Sequence, residues 1–130
     1  MNLVARSGML CCMFVILASG SVFAREWTDA QELIKVVRTA AEKRDFSALK
    51  NTMASDFVSS FGGNGGIDEA VSLWRSNKSY LREMARATDS RCAWPTKHVI
   101  ECPRNAGTNY RATFRFDGKT WRFTAFVVGD

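Results

Sequence analysis

The stretch YRATFRFDGKTWRFTAFVV, residues 110–128, decides the fold, because two alternating segments flank one Asp-Gly pair. Asp117-Gly118 suits a two-residue hairpin turn that needs positive φ. With that turn, Phe114 faces Trp121 and the apolar residues of both segments share one face of the sheet. The sequence therefore predicts an antiparallel hairpin with one buried face. Its inward positions are Tyr110, Ala112, Phe114, Trp121, Phe123 and Ala125.

The opposite face of the predicted hairpin carries three arginines, Arg111, Arg115 and Arg122, separated by threonines. The threonines are Thr113, Thr120 and Thr124. A register shifted by one residue would bury the arginines, so they are expected to face out. Alternating Arg and Thr is ordinary on the solvated side of an antiparallel sheet, but three cations on one face could also bind an acidic partner. These arginines are therefore the candidate binding face.

The residues before the hairpin have helical periodicity. Thr28 and Gln31 form a capping box ahead of the first apolar helical face. Asp45 can cap a second helix, in which Phe46, Leu49 and Met53 recur at helical spacing. An extended piece, FVSSF, then precedes the glycines.

A third and a fourth helix are predicted after the glycines. Asp68 and Glu69 lie in the first turn of the third, where acidic groups match the helix dipole, and the fourth begins at Asn77 or Ser79. From Arg91 onward the periodicity alternates, and residues 97–102 predict a strand. Helices first and strands last predict an α+β domain, with about four N-terminal helices on one face of a small antiparallel sheet.

Residues 1–24 have the pattern of a secretory signal peptide. Arg6 precedes an apolar run from Met9 to Ala18, and small residues lead to a cleavage site after Ala24. The run is too short for a membrane anchor, which needs about 20 apolar residues. The sequence thus predicts export to the periplasm, a single domain at 25–130 and no transmembrane segment after processing.

The cysteines predict one disulfide. Cys11 and Cys12 lie within the signal segment, without the small residue that a lipobox places before its cysteine. Cys92 and Cys102 remain after processing, and an even pair in an oxidising compartment favours a disulfide over a metal pair or free thiols. With His98 as the one histidine and no CxxC motif, neither a metal site nor a cofactor is predicted.

The charge of the mature chain limits the class of partner. Without Arg6 it has 17 basic and 13 acidic residues, a net charge of +4. So small a surplus of positive charge is typical of an ordinary solvated surface, and it indicates a charged partner only weakly. It leaves an acidic protein or an anionic envelope component as the predicted partner, rather than nucleic acid. The oligomeric state stays open.

The glycine-rich segment GGNGGID, residues 62–68, fits neither phosphate-binding loop. It has neither the GxGxxG nor the GxxxxGK spacing, and it lacks a lysine. Asp68 and Glu69 would also repel a phosphate at the helix that follows. The segment is therefore interpreted as a flexible joint, with residues at positive φ that include Gly63 and Gly65.

No catalytic residue is predicted. Nucleophilic catalysis would need a serine or cysteine beside His98 and a carboxylate behind it, but Glu101 lies on the opposite face of the same strand. Asp56, Asp68 and Glu69 could do acid–base work, yet each is explained by a helix end or a helix start.

Two resemblances follow from these motifs. SFGG ahead of a helix with a Trp, and the ending W-x-x-x-A-F-V-x-G-D, resemble small exported proteobacterial proteins of no assigned function. The matching residues are Ser60, Phe61, Gly62, Gly63, Trp74, Trp121, Ala125, Phe126, Val127, Gly129 and Asp130. The order of elements also resembles the cone-shaped nuclear-transport-factor-2-like superfamily, which includes isomerases, hydrolases and binding domains. Enzymes of that superfamily use Asp or His side chains inside the cone, and the inward positions here carry none.

The sequence thus favours a non-enzymatic periplasmic binding domain, such as an accessory protein or an inhibitor or immunity-type protein of the envelope. The alternative is a small-molecule binder or enzyme on a cone-type fold. A cavity of several hundred Å³ with a convergent carboxylate would favour this alternative.

Overall fold

Four helices precede most of a five-stranded sheet, which confirms the predicted α+β class. The computed structural model describes residues 25–59 and 65–128. The predicted signal peptide at residues 1–24, all four residues of the SFGG motif (60–63) and the final Gly129-Asp130 lie outside that part. The elements are α1 (Ala30–Lys43), α2 (Phe46–Thr52), β1 (Met53–Val58), α3 (Ile67–Ser76), α4 (Ser79–Thr88), β2 (Ala93–Thr96), β3 (Val99–Cys102), β4 (Tyr110–Phe116) and β5 (Trp121–Val128).

The first two helices begin at aspartates. The Asp29 carboxylate accepts a hydrogen bond from the Gln31 amide at 2.8 Å, so the cap of α1 lies one residue after the predicted Thr28. Asp45 caps α2 as predicted, since its carboxylate accepts from the Ala48 amide at 3.0 Å. Each cap satisfies a backbone N–H that has no partner within the helix.

The second helix ends earlier than its apolar spacing predicts. Met53 was predicted inside it, but its backbone is extended (φ −85°, ψ 144°) and it is the first residue of β1. Met53 pairs with Phe123 in the neighbouring strand. A non-local strand pairing therefore outweighs the local helical spacing.

The sheet has the order β1-β5-β4-β3-β2. β1 is parallel to β5, and the other neighbours are antiparallel. β2 was missed in the sequence because it has only four residues and contains Pro95, which is confined to edge strands. α1 packs against α4 and β5, while α4 contacts β4 and α3 contacts β1.

The hairpin turns at Asp117-Gly118 as predicted, but its loop has four residues, Asp117 to Thr120. Phe114 therefore pairs with Phe123, and not with Trp121 as the two-residue turn predicted. The Asp117 carboxylate accepts from the amides of Lys119 and Thr120 at 2.9 and 2.8 Å, which stabilises the longer loop. A shift of two residues leaves each side chain near the turn on its predicted face.

The predicted faces of Thr120 and Ala125 are wrong. The Thr120 hydroxyl is buried, accepts from the Trp27 amide at 2.6 Å and donates to the Trp27 carbonyl at 3.1 Å. Farther along β5, Thr124 is an extra residue between the pairs Thr113–Ala125 and Phe114–Phe123. Such a bulge reverses the alternation, so that Phe126 is buried in place of Ala125. Thr113, predicted to be exposed, is also buried.

An aromatic cluster fills the space between the helices and the sheet. The rings of Phe57 and Phe123 lie 4.9 Å apart, and those of Phe114 and Phe123 lie 5.1 Å apart. Trp74 of α3 contacts Phe57 edge-on at 5.5 Å and Phe126 at 6.3 Å. All five side chains are fully buried, so the described interior is packed with side chains.

The predicted disulfide is present. Cys92, just before β2, is bonded to Cys102 at the end of β3, ten residues along the chain. Cys102 is completely buried, whereas Cys92 is partly exposed. The bond thus ties the edge of the sheet to its core.

Candidate functional site

The groove at the start of the hairpin results from an irregular strand pairing. β1 pairs with β5 at Met53–Phe123 and again at Val58–Ala125. Between those pairs β1 has four residues, but β5 has only Thr124. The surplus residues cannot continue the regular ladder, so β1 arches away from its neighbour.

This arch forms one wall of an open groove of about 630 Å³. The end of α2, the first residue of α3 and the hairpin form the rest of it. Five of its residues are charged, namely Lys50, Asp56, Arg115, Asp117 and Arg122. We call this cavity the arginine groove.

Two arginines lie directly opposite each other in the arginine groove. Arg115 of β4 and Arg122 of β5 are cross-strand partners. Like charges in directly opposed positions destabilise a sheet. Arg115 is exposed, and it forms no ion pair with any residue of 25–59 or 65–128. Its charge therefore has no compensating partner within the described chain.

The second arginine is held in place by backbone carbonyls. Arg122 donates from Nη1 to the carbonyl of Arg25 at 2.9 Å and to that of Asn51 at 3.3 Å. These contacts link the N-terminal segment and the end of α2 to the hairpin. They orient the guanidinium but leave its full positive charge in the groove.

The two carboxylates of the groove differ in what they contact. Hydrogen bonds from the Thr120 and Lys119 amides, together with the nearby Arg122 charge, lower the pKa of Asp117. Asp117 is thus an ionised part of the turn. Asp56 lies on the arch of β1, exposed and without an ion pair among the described residues. Lys50 adds a third cation and contacts Asp68 at 3.5 Å.

Arg111 does not line the arginine groove. Its Nε lies 3.7 Å from a carboxylate oxygen of Glu101 on β3, and both side chains are about 30% exposed. The candidate binding face thus separates into an ion-paired Arg111 and the opposed pair of Arg115 and Arg122.

The other candidate residues are not brought together. His98 is exposed, and its ring lies 5.7 Å from that of Phe116. Asp68 and Glu69 are exposed in the first turn of α3, as predicted. Within 25–59 and 65–128, no three His, Cys, Asp or Glu residues are grouped to hold a metal. Sequence reasoning did not link Lys50 or Asp56 to the arginines, because their proximity depends on the pairing of β1 with β5.

The glycine segment is described only from Gly65 onward. Gly65 and Gly66 have φ of 72° and 97°, as expected for a joint, and the Gly66 amide donates to the Phe57 carbonyl at 2.8 Å. A Cβ on Gly65 would lie 3.3 Å from that carbonyl oxygen. The glycines thus allow the chain to turn closely over the end of β1.

Comparison with known proteins adds no assignment: no family model, curated protein or solved structure matches the chain. In the part of the chain that the structure describes, no helix is both long and apolar enough to cross a membrane.

The lowered pKa of Asp117 predicts a specific pH dependence of stability. A carboxyl whose pKa is lower in the folded than in the unfolded state stabilises the fold above the unfolded pKa, and this contribution is lost as pH falls through the folded value. Asp117→Asn should therefore show a shallower loss of stability with acidification than the parent. Urea unfolding from neutral to acidic pH measures this, and an NMR titration that places the Asp117 pKa at or above that of an ordinary aspartate would contradict it.

Proposed function

We propose that the chain is an exported, non-enzymatic binding domain that acts in the periplasm and takes an acidic segment of a protein partner into the arginine groove. The observation that carries this proposal is the cross-strand pair of Arg115 and Arg122. The pair costs stability in the isolated domain, because like charges are opposed and Arg115 forms no ion pair with a described residue.

An acidic partner would relieve that repulsion. A guanidinium donates two parallel hydrogen bonds to a carboxylate, and such charge-assisted pairs are stronger than neutral ones. Arg122 is already oriented by the Arg25 and Asn51 carbonyls, so less side-chain entropy is lost when it binds. Arg115 and Lys50 supply further positive charge to the same groove.

Two features support export and binding rather than catalysis. The signal-like segment at residues 1–24 and the disulfide between Cys92 and Cys102 fit an oxidising compartment outside the cytosol. The inward positions of the sheet are filled by packed aromatic rings, and the Asp117 carboxylate is occupied by its turn. This leaves a charged groove as the candidate site.

The proposal is tested by capture from periplasmic extract with the exported protein as bait. Arg115→Ala should weaken retention of an acidic partner about ten- to a hundredfold, the range expected for one charge-assisted hydrogen-bonding group. Binding by the parent should fall steeply with salt, and the variant should show a flatter dependence. Affinities of the purified pair at two or more salt concentrations give both values.

Arg82→Ala is the matched control, since Arg82 is exposed on α4 and lies outside the arginine groove. It removes the same charge and should leave retention unchanged. Equal loss in both variants would indicate a general charge effect, and equal retention by Arg115→Ala and the parent would refute the proposed site.

The alternative proposal is a small-molecule binder or enzyme. Under this alternative, the chain is a distant relative of the nuclear-transport-factor-2-like superfamily. This alternative is supported by one observation, the exposed Asp56 carboxylate in a groove of about 630 Å³. If this alternative holds, Asp56→Asn abolishes ligand turnover or binding at unchanged stability. Under the protein-binding proposal the same variant removes a repulsive carboxylate and strengthens binding of an acidic partner.

A further inference from the structure

A second groove lies between α1, the end of α4 and β2. Its volume is about 460 Å³, and Trp94 is one of the residues that line it. The cations Lys35, Arg38 and Arg91 line it. None of these residues contributes to the arginine groove. We call this cavity the Trp94 groove.

Trp94 is exposed, but it packs against a buried aromatic ring. Trp94 is 50% exposed. Among the aromatic residues of 25–59 and 65–128, it is the one large exposed side chain. Its ring meets the buried Trp121 edge-on, with centroids 5.7 Å apart and planes at 80°. Cys92, two residues earlier, is bonded to Cys102 in the core. A half-exposed indole beside a buried aromatic ring offers a flat apolar surface to a ligand.

The charge of the Trp94 groove is positive. Arg38 contacts Asp89 at 3.2 Å. Lys35 and Arg91 are exposed and form no ion pair with another described residue. Three cations against one carboxylate leave an excess of two positive charges in this groove. The groove thus joins an apolar plate to uncompensated cations, which is complementary to a flat, anionic ligand.

We propose that the Trp94 groove binds a carboxylated saccharide, with the apolar C–H face of a sugar ring against Trp94 and its carboxylate at Lys35 or Arg91. Gln31 and Ser90 line the same groove and supply the amide and hydroxyl groups that sugar hydroxyls require. A single-stranded nucleic acid stacks successive bases on a series of aromatics, whereas the described groove presents one. An acidic peptide would use the cations but not the indole face.

Three hexameric probes separate these ligands. Hexagalacturonate has both rings and carboxylates, its fully methyl-esterified form has rings without charge, and hexaglutamate has charge without rings. Binding is followed through the indole N–H resonance of Trp94 in the exported protein, assigned with Trp94→Phe. We expect hexagalacturonate to shift this resonance and to bind at least tenfold more tightly than either other probe. Hexaglutamate binding as tight as hexagalacturonate, or no binding of hexagalacturonate, would overturn the proposal.

Variants then locate the site. Trp94→Ala should weaken hexagalacturonate binding at least tenfold, and Trp94→Phe should retain part of the affinity because a phenyl ring can still stack. Lys35→Ala should weaken binding several-fold and flatten its salt dependence. Lys43→Ala is the control, since Lys43 lies on the same helix outside the Trp94 groove. Unchanged affinity in Trp94→Ala, or equal effects of Lys35→Ala and Lys43→Ala, would contradict the assignment.

Discussion

Trp74→Ala should lower the free energy of unfolding by about 3 to 5 kcal/mol, the usual cost of truncating a buried tryptophan. Trp74 is 1% exposed and contacts the rings of Phe57, Phe123 and Phe126. The truncation leaves a cavity where three aromatic side chains lose their contacts. Because small domains are stable by only about 5 to 15 kcal/mol, this loss removes a large share of the total stability. Urea unfolding measures the change.

Trp94→Ala is the matched control for this prediction. Trp94 is 50% exposed and has one aromatic neighbour, Trp121, so its truncation should cost about 1 kcal/mol. Equal losses in the two variants would mean that α3 does not pack against the sheet as described. The same comparison shows whether Trp94→Ala is folded well enough for the binding experiment.

Reduction of the Cys92–Cys102 bond should lower the free energy of unfolding by about 2 to 3 kcal/mol, from the entropy of closing so short a loop. The two residues are ten apart in sequence, and the bond joins the exposed edge of the sheet to its core. Urea unfolding of the disulfide-bonded protein with and without reductant gives this difference. The double variant Cys92→Ala with Cys102→Ala is the control, because its stability should not respond to reductant. An identical parent stability in both conditions would contradict the prediction.

The faces of the strand residues next to the hairpin turn, Phe114, Arg115 and Arg122, could be predicted because alternation is local. The register of the hairpin could not, because Thr120 is buried against Trp27, which lies 93 residues away in sequence. The loop is therefore four residues long. The extra residue in β5 is likewise fixed by tertiary contacts, and so the burial of Phe126 in place of Ala125 was missed.

Only part of the candidate site could be predicted from the sequence. Arg115 and Arg122 share a face because of residue spacing alone, and the structure places them directly opposite each other. Lys50 and Asp56 join them only because β1 runs parallel to β5, a pairing between residues about 70 positions apart. The disulfide could be predicted without knowledge of the fold, because only two cysteines remain after the predicted removal of residues 1–24. Trp94 lay in a strand that the sequence pattern did not predict, so its exposure was not foreseen.

The stability of Arg115→Glu tests the central claim, that the arginine pair serves binding at a cost to folding. Glutamate at this position would face Arg122 across the strands and replace repulsion by attraction. Opposite charges in such pairs contribute about 0.2 to 1 kcal/mol. Urea unfolding should therefore show Arg115→Glu to be more stable than the parent by about 0.2 to 1 kcal/mol, with Arg115→Ala in between. A loss of stability greater than about 1 kcal/mol in both variants would exceed the usual effect of a surface change, and would show that Arg115 supports the fold.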